Sequence, residues 1–143
     1  MIRQTLLTLA TLTLFLIVAP PAAQDAAEEF NYHKYDAALK QATEEKKMVM
    51  VFFWADWCGF CSQVRQEVFR DPKIKQIFEE NFVAVSVDVE HDPTNLAKKY
   101  HARTLPTLAF LKPDGEIVAF WEGATDQVTF LKILNHMTKE IKS

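Results

Sequence analysis

The sequence predicts an α/β domain in which helices flank a mixed central β-sheet on both faces. Two apolar runs, MVMVFFWA (residues 48–55) and FVAVSVDV (82–89), have the β-branched and aromatic composition, without alternation, of central strands covered on both faces. Helical segments separate them, so we expect parallel strands joined by a right-handed crossover. Near the C-terminus, TLAFLK, PDG and EIVAFW (107–121) predict a hairpin that adds antiparallel strands.

Apolar residues at helical spacing predict the helices that cover this sheet. The first helix runs from Lys34 to Lys47, and its inward side chains are Tyr35, Ala38, Leu39 and Ala42. A second helix follows the cysteines and ends at the pair Asp71-Pro72, which also caps a third helix. The buried side of that third helix comprises Ile74, Ile77 and Phe78.

Three further elements complete the predicted order. FNYH (30–33) is interpreted as a short, weak edge strand, and Asp92-Pro93 opens a short helix toward Tyr100. A last helix starts near Thr125 or Asp126, and we expect it to bury Val128, Leu131, Leu134 and Ile141.

Residues 1–23 are interpreted as a secretory signal peptide, because one early charge, Arg3, precedes an apolar stretch followed by prolines and small residues. The apolar stretch from Leu6 to Ala19 is 14 residues long. A bilayer span needs about 20 residues, so cleavage is the main prediction and an uncleaved membrane anchor the alternative. We therefore expect a periplasmic or otherwise exported protein, with residues 24–29 (QDAAEE) as a flexible lead-in.

The remaining chain, residues 30–143, has the length of one domain. The full sequence of 143 residues carries a formal net charge of −3. Such a mild acidic balance offers no clustered lysines and arginines to phosphates, so nucleic acid is not a predicted partner. We expect a monomer.

The only two cysteines, Cys58 and Cys61, follow the first buried strand directly and are separated by two residues. When a CxxC pair lies between a strand and the helix that follows it, the first cysteine, here Cys58, falls at or near the helix N-cap. Cys61 then lies about one turn later. The first-turn amides and the helix dipole favour negative charge there, so Cys58 is the predicted nucleophile. Cys61 is predicted to resolve the mixed disulfide. The cysteines carry the electrons, so we expect no metal or organic cofactor.

A zinc site and a purely structural disulfide are weaker interpretations of the CxxC pair. Zinc would need ligands from His33, His91, His101 or His136, none of which has a paired spacing, and there is no second CxxC. A structural disulfide would close a very short loop and remove little chain entropy. The pair therefore favours thiol–disulfide chemistry.

Three separated motifs resemble those of the thioredoxin superfamily, and the resemblance covers nearly all of residues 30–143. FFWADWCGFC (52–61) resembles the active-site signature, TLPT (104–107) the segment with a cis-proline, and GEIVAFWEG (115–123) the hairpin strand and the glycine bordering the partner groove. The resemblance implies the thioredoxin fold, with Trp54 beneath the site. It also implies a substrate-binding surface made of Trp57, Gly59, Phe60, Leu105, Pro106 and Gly123.

Within the superfamily, ADWC together with EVFRDPKIKQIFEENFVAVSVDVE (67–90) resembles the C-terminal domain of the membrane thiol:disulfide interchange protein DsbD and related exported proteins. This resemblance implies cysteine-containing protein substrates, and a membrane electron donor of the DsbD type would fit.

Three positions depart from the family pattern. Phe52 stands where thioredoxins bury an aspartate, Ala84 where they place its lysine partner, and Arg65 where the DsbD domain has an acidic residue. Asp56 is the nearest remaining carboxylate. Because a nearby anion raises the pKa of a thiol, we predict a Cys58 at least as acidic as that of a typical thioredoxin, and slower proton transfer at Cys61.

The predicted function is that of an exported protein thiol–disulfide oxidoreductase. Phe60, between the cysteines, gives a thiolate neither charge nor donor, so a reductant or isomerase-like role is favoured over an oxidant, which stabilises its reduced form. A disulfide-inserting oxidant and a non-catalytic binding module are the alternatives. For Trp121, a partner contact and simple strand packing are equally compatible with the sequence.

Overall fold

The computed structural model describes residues 29–142, in which helices flank a four-stranded mixed sheet. The strand order is β2-β1-β3-β4. Strand β1 (Met48–Trp54) is parallel to β2 (Phe82–Asp88) and antiparallel to β3 (Thr107–Leu111), which pairs antiparallel with β4 (Ile117–Glu122). The predicted fold class and hairpin are confirmed. The predicted signal peptide and residues 24–28 of the lead-in lie outside the described residues.

Strand β1 separates the two halves of the core, because successive side chains of a strand point to opposite faces. Met50 and Phe52 belong to the cluster that contains both cysteines, and Val49, Val51 and Phe53 belong to the cluster on the other face. All five side chains are fully buried. This explains why the sequence of β1 shows no alternation of apolar and polar residues.

Helices cover both faces of the sheet. They are α1 (Tyr35–Glu45), α2 (Gly59–Gln63), α3 (Pro72–Asn81), α4 (Leu96–Lys99) and α5 (Gln127–Lys142). The predicted cap of α3 is confirmed, since the Asp71 carboxylate accepts the amide hydrogens of Lys73 and Ile74. Within the described range, no helix is both long and apolar enough to cross a bilayer.

The helix that follows the cysteines is not uniformly α-helical. It continues from α2 into a π-helical turn, Val64–Val68, and the amide of Phe69 donates to the carbonyl of Val64 at 3.1 Å. Phe69 is completely buried, and its ring centroid lies 5.1 Å from that of Phe52. The π-helical turn therefore lies in the helical segment that begins at Cys58 and ends at Phe69, a core aromatic residue.

Three sequence-based expectations differ from the structure. In place of the expected edge strand at residues 30–33, the structure has one parallel bridge between Tyr32 and Ala84. Phe30 is not part of the sheet, and its ring stacks on that of Phe78 with 3.9 Å between the centroids. Helix α4 starts at Leu96, later than expected, because the Asp92 carboxylate accepts the amides of Thr94 in the turn and of Ala97 in the first turn of the helix.

The expected burial of Val128 is also wrong, since 64% of this residue is exposed. Val128 precedes the buried Phe130 by two residues, which places it about 200° away around the helix axis. The inward stripe of α5 instead comprises Phe130, Leu134 and Met137, with Leu131, Ile133 and Ile141 packed beside it.

Candidate functional site

Cys58 is the N-cap of α2, and Cys61 lies one turn later, as predicted. The two sulfurs form a disulfide, with 5.2 Å between the Cα atoms. The amide of Cys61 donates to Cys58 Sγ at 3.1 Å, and the amide of Cys58 donates to the carbonyl of Ala55 at 3.0 Å. The turn after β1 thus holds the Cys58 sulfur over the free amides of a helix N-terminus, where a thiolate is stabilised.

Two exposed aromatic side chains flank the disulfide. Trp57 is 67% exposed and Phe60 63% exposed, whereas the cysteines are buried at 6% and 1%. The Trp57 ring is held by a hydrogen bond of 2.9 Å from Nε1 to the Glu90 carboxylate. These predicted substrate contacts therefore stand at the surface, one on each side of Cys58 in the sequence.

A second segment of the predicted binding surface comes from the loop before β3. The Leu105–Pro106 peptide bond is cis, as the family resemblance implied. Leu105 packs against the cluster that contains both cysteines, and the amide of Gly123 donates to the carbonyl of Pro106 at 2.8 Å. The structure thus brings Leu105, Pro106 and Gly123 together. Gly59 is exposed at the start of α2, with open space where a Cβ would be.

The wall beneath the cysteines is apolar. Phe52 is completely buried, and Ala84 lies in the same layer, paired with Met50. Within residues 29–142 the only buried polar or charged residue is Thr107, whose hydroxyl donates to the Thr104 carbonyl at 2.6 Å. The buried aspartate and lysine of thioredoxins thus have no counterpart in the described core.

Arg65 is not a freely solvated helix residue, because its side chain contacts both Trp54 and Glu29. Its guanidinium carbon lies 4.8 Å from the centroid of the Trp54 ring, and Trp54 Nε1 donates to Ser86 Oγ at 2.7 Å. Arg65 Nε also donates to both carboxylate oxygens of Glu29, each at 2.9 Å. Glu29 belongs to the predicted lead-in, and no local pattern relates residues 36 positions apart.

The loop after β2 places charged side chains near Trp57, because Glu90 of this loop accepts the hydrogen bond of the Trp57 ring. His91 Nδ1 and Asp88 Oδ2 are 2.7 Å apart, and this contact raises the pKa of His91 above 6.5 and lowers the pKa of Asp88 below 3.8. Glu90 and Asp56 add smaller contributions to the pKa of His91. Asp56 is the carboxylate nearest in sequence to Phe52, the position at which thioredoxins bury an aspartate. Asp56 itself is exposed, and its charge acts on His91.

The four histidines do not converge on the cysteines. His91, His101 and His136 are exposed and His33 is half-buried. In the described part of the chain, no three His, Cys, Asp or Glu side chains are grouped so that they could hold a metal ion. Trp121 is half-buried against the core, and its Nε1 is buried without a partner there, which favours strand packing over a partner contact.

Known proteins that are similar to this chain in sequence or structure include thioredoxins, which carry out the chemistry that this site predicts. Residues 35–138 match the family model of the thioredoxin-like domain. Thioredoxin 1 of Synechococcus elongatus is 35% identical over 101 residues, which cover 70% of this chain and 90% of that protein. A thioredoxin structure from Thermus thermophilus has a TM-score of 0.68 at 31% identity, covering 76% of this chain and 87% of that one.

A structure of the oxidoreductase DsbH superposes with a TM-score of 0.67 over 87% of this chain and 92% of that one. At 21% identity, this likeness shows the fold alone. The family match, the thioredoxin relatives and the disulfide at the helix N-terminus agree with one another. The chain belongs to the thioredoxin-like family and is a thiol–disulfide oxidoreductase.

Proposed function

We propose that this protein reduces or isomerises disulfide bonds of other exported proteins. The observation that carries the proposal is the position of Cys58 Sγ, which is bonded to Cys61 Sγ and accepts a hydrogen bond from the helix N-terminus. A sulfur in this position is stabilised as a thiolate, and its resolving partner is already in reach.

In the reduced protein, the Cys58 thiolate attacks one sulfur of a substrate disulfide, and the other substrate sulfur leaves and takes up a proton. Cys61 then loses its proton and attacks Cys58 Sγ, which breaks the mixed disulfide and releases the second substrate sulfur. Two electrons pass to the substrate, and the protein ends with the Cys58–Cys61 disulfide. A dithiol reductant must restore the reduced state, and we assign this step to a membrane donor of the DsbD type.

The substrate lies, in this proposal, across the rim formed by Trp57 and Phe60 and along the Leu105–Pro106 segment. Proline has no amide hydrogen to donate, so the peptide groups of Leu105 are the ones available to pair with an extended substrate. The exposed aromatic rings offer apolar contact area next to the disulfide being attacked.

The reducing direction is supported by the surroundings of the cysteines. A strong oxidant stabilises its thiolate form further than a helix N-terminus alone does, through additional positive charge or donors near the sulfur. Phe60 supplies neither between the cysteines, and the wall beneath them is apolar. The reduction potential measured against glutathione tests this: a value near that of strong oxidants would overturn the reducing role.

Insulin reduction in the presence of a dithiol tests the activity itself. We expect turnover well above that of the dithiol alone, and no turnover for Cys58→Ser. Cys61→Ser should form a mixed disulfide without turning over, and exposed Lys139→Ser should behave as the unchanged control. A wild-type protein that binds partners without turnover would instead be a binding module.

Export is tested separately. Residues 1–29 are fused to a reporter enzyme that folds only in an oxidising compartment. We expect activity from this fusion and none after the apolar stretch from Leu6 to Ala19 is deleted. Activity in the released soluble fraction indicates cleavage, and activity confined to the membrane fraction indicates the anchor. An inactive full fusion would contradict export.

A further inference from the structure

A positive charge, that of Arg65, lies about one turn beyond Cys61 in the helical segment that carries the redox pair. Arg65 follows Cys61 by four residues on the same helical segment, and side chains with this spacing share a face, with about 5–6 Å between their Cβ atoms. Its guanidinium lies over Trp54, which packs against the cluster containing Cys58 and Cys61. The Arg65 side chain is only 31% exposed. Its charge is therefore screened less than that of a surface arginine.

Glu29 neutralises this charge. Both its carboxylate oxygens accept from Arg65 Nε at 2.9 Å, and the Tyr32 hydroxyl donates to it at 3.3 Å. Its side chain is 14% exposed, less than that of Arg65. A second cation, Arg70, is 3.9 Å away and more exposed, at 44%. The Arg65–Glu29 pair is thus the partly buried ion pair on this side of the cysteines.

The other charged groups near the cysteines lie on the solvent side. Asp56, Glu90 and His91 are exposed along the rim, where water and salt weaken their effect on the sulfurs. Beneath the cysteines, Phe52 and Ala84 leave the core without charge. A charge that lies partly inside this apolar environment acts on the sulfurs more strongly than one on the rim.

We propose that Glu29 and Arg65 set the acidity and the reduction potential of the Cys58–Cys61 pair, which rests on the thiol–disulfide activity proposed above. Arg65 attracts a thiolate, and Glu29 cancels most of that attraction. The pair as a whole keeps the site reducing. Both are positioning residues, because they act through the electric field and do not touch the substrate.

This arrangement predicts that substitutions of Glu29 and of Arg65 shift the pKa of the Cys58 thiol in opposite directions. Glu29→Gln leaves the Arg65 charge uncompensated, so the thiolate is favoured and the pKa of the Cys58 thiol falls by about 0.5–1. Arg65→Gln leaves the carboxylate alone, and the pKa of the thiol rises by a similar amount. The double variant Glu29→Gln/Arg65→Gln should return close to the wild type.

The reduction potential follows the same signs, because a stabilised thiolate stabilises the reduced state. We expect a three- to tenfold change in the thiol–disulfide equilibrium constant, or about 15–30 mV at about 30 mV per tenfold. The potential becomes less negative in Glu29→Gln and more negative in Arg65→Gln. Arg65→Lys keeps the charge and should stay close to the wild type, as should the control Arg70→Gln.

The experiment measures the potentials of these variants against glutathione, with urea unfolding of each. A structural role would lower the stability of both single variants without moving their potentials in opposite directions. Single variants that shift the potential the same way, or no further than Arg70→Gln, would overturn the proposal. If Arg65→Gln fails to fold, Glu29→Gln and Arg65→Lys still decide it, the first shifting upward and the second not. Insulin turnover by the wild type judges the proposed function independently.

Discussion

Trp57 Nε1 donates a hydrogen bond of 2.9 Å to the carboxylate of Glu90, which joins the aromatic residue before Cys58 to the loop after β2. Trp57 is otherwise mostly exposed, so this bond limits the rotamers that its ring can adopt. The proposed substrate-binding surface is therefore fixed partly by a residue from a different element of the chain.

Replacing Glu90 with alanine should change substrate binding more than chemistry. Loss of this hydrogen bond frees the Trp57 ring to change rotamer, so we expect the KM for insulin to rise about two- to fivefold, which corresponds to up to about 1 kcal/mol, the typical net contribution of one intramolecular hydrogen bond. The measurement is steady-state kinetics of Glu90→Ala with Glu79→Ala, another exposed glutamate, as control. An unchanged KM with a lower kcat would contradict the assigned role.

Two glycines with positive φ should tolerate alanine to different degrees. Gly115 has a φ of 86°, and a Cβ there would lie 2.8 Å from the Tyr35 hydroxyl. Gly123 has a φ of 91° but open space around a Cβ. We therefore expect Gly123→Ala to cost about 1–2 kcal/mol from backbone strain alone, and Gly115→Ala to cost more.

Urea unfolding of both variants measures this difference in the free energy of unfolding. Gly59→Ala is the matched control, because the site is open and helical, and its stability should change by less than about 1 kcal/mol. Equal losses at Gly115 and Gly123 would contradict the predicted contact with Tyr35.

The Asp88–His91 contact should be visible in a pH titration. Folding raises the pKa of His91 above 6.5, with the Asp88 hydrogen bond as the main cause. Its stabilising contribution is therefore complete below about pH 6.5 and is lost as the pH rises through the folded pKa. The pKa of Asp88 is lowered, so its contribution is lost as the pH falls below 3.8 toward the folded pKa.

NMR titration of the His91 ring should give a pKa above 6.5 in the wild type and a lower one in Asp88→Asn. Exposed His136 is the internal reference, since it should be unaffected by that substitution. A His91 pKa that does not change in Asp88→Asn would contradict the contact.

Restoring the family's aspartate should destabilise this protein. Phe52 is fully buried against Phe69. Ala84 stands where thioredoxins have the lysine that would compensate the charge of a buried carboxylate. We expect Phe52→Asp to cost at least about 3–5 kcal/mol and Phe52→Leu about 1–1.5 kcal/mol. Urea unfolding compares them, and adding Ala84→Lys to Phe52→Asp should recover part of the loss. Equal costs for the two single variants would contradict the apolar wall.

The sequence predicted those features that depend on local patterns. Unbroken apolar runs identified β1 and β2, Asp71-Pro72 marked the start of α3, and the spacing of Cys58 and Cys61 placed both at a helix N-terminus. Each of these depends on residues close together in the chain. The motif resemblance added the cis peptide bond before Pro106.

The features that the sequence did not predict depend on distant contacts. Glu29 meets Arg65 across 36 positions, and Trp57 meets Glu90 across 33. Neither pair has a local signature, because long polar side chains pair wherever the fold brings them together. The exposure of Val128 was missed for a related reason, since the direction of α5 toward the sheet fixes which of its apolar residues are buried.

The pKa of the Cys58 thiol, measured from thiolate absorbance in Cys61→Ser, tests the central claim most directly. The claim is that the helix N-terminus favours the Cys58 thiolate, and that in the described core no buried carboxylate opposes it. We predict a pKa of about 7 or lower, the value known for thioredoxin being about 7. A pKa above about 8.5, that of free cysteine, would contradict it.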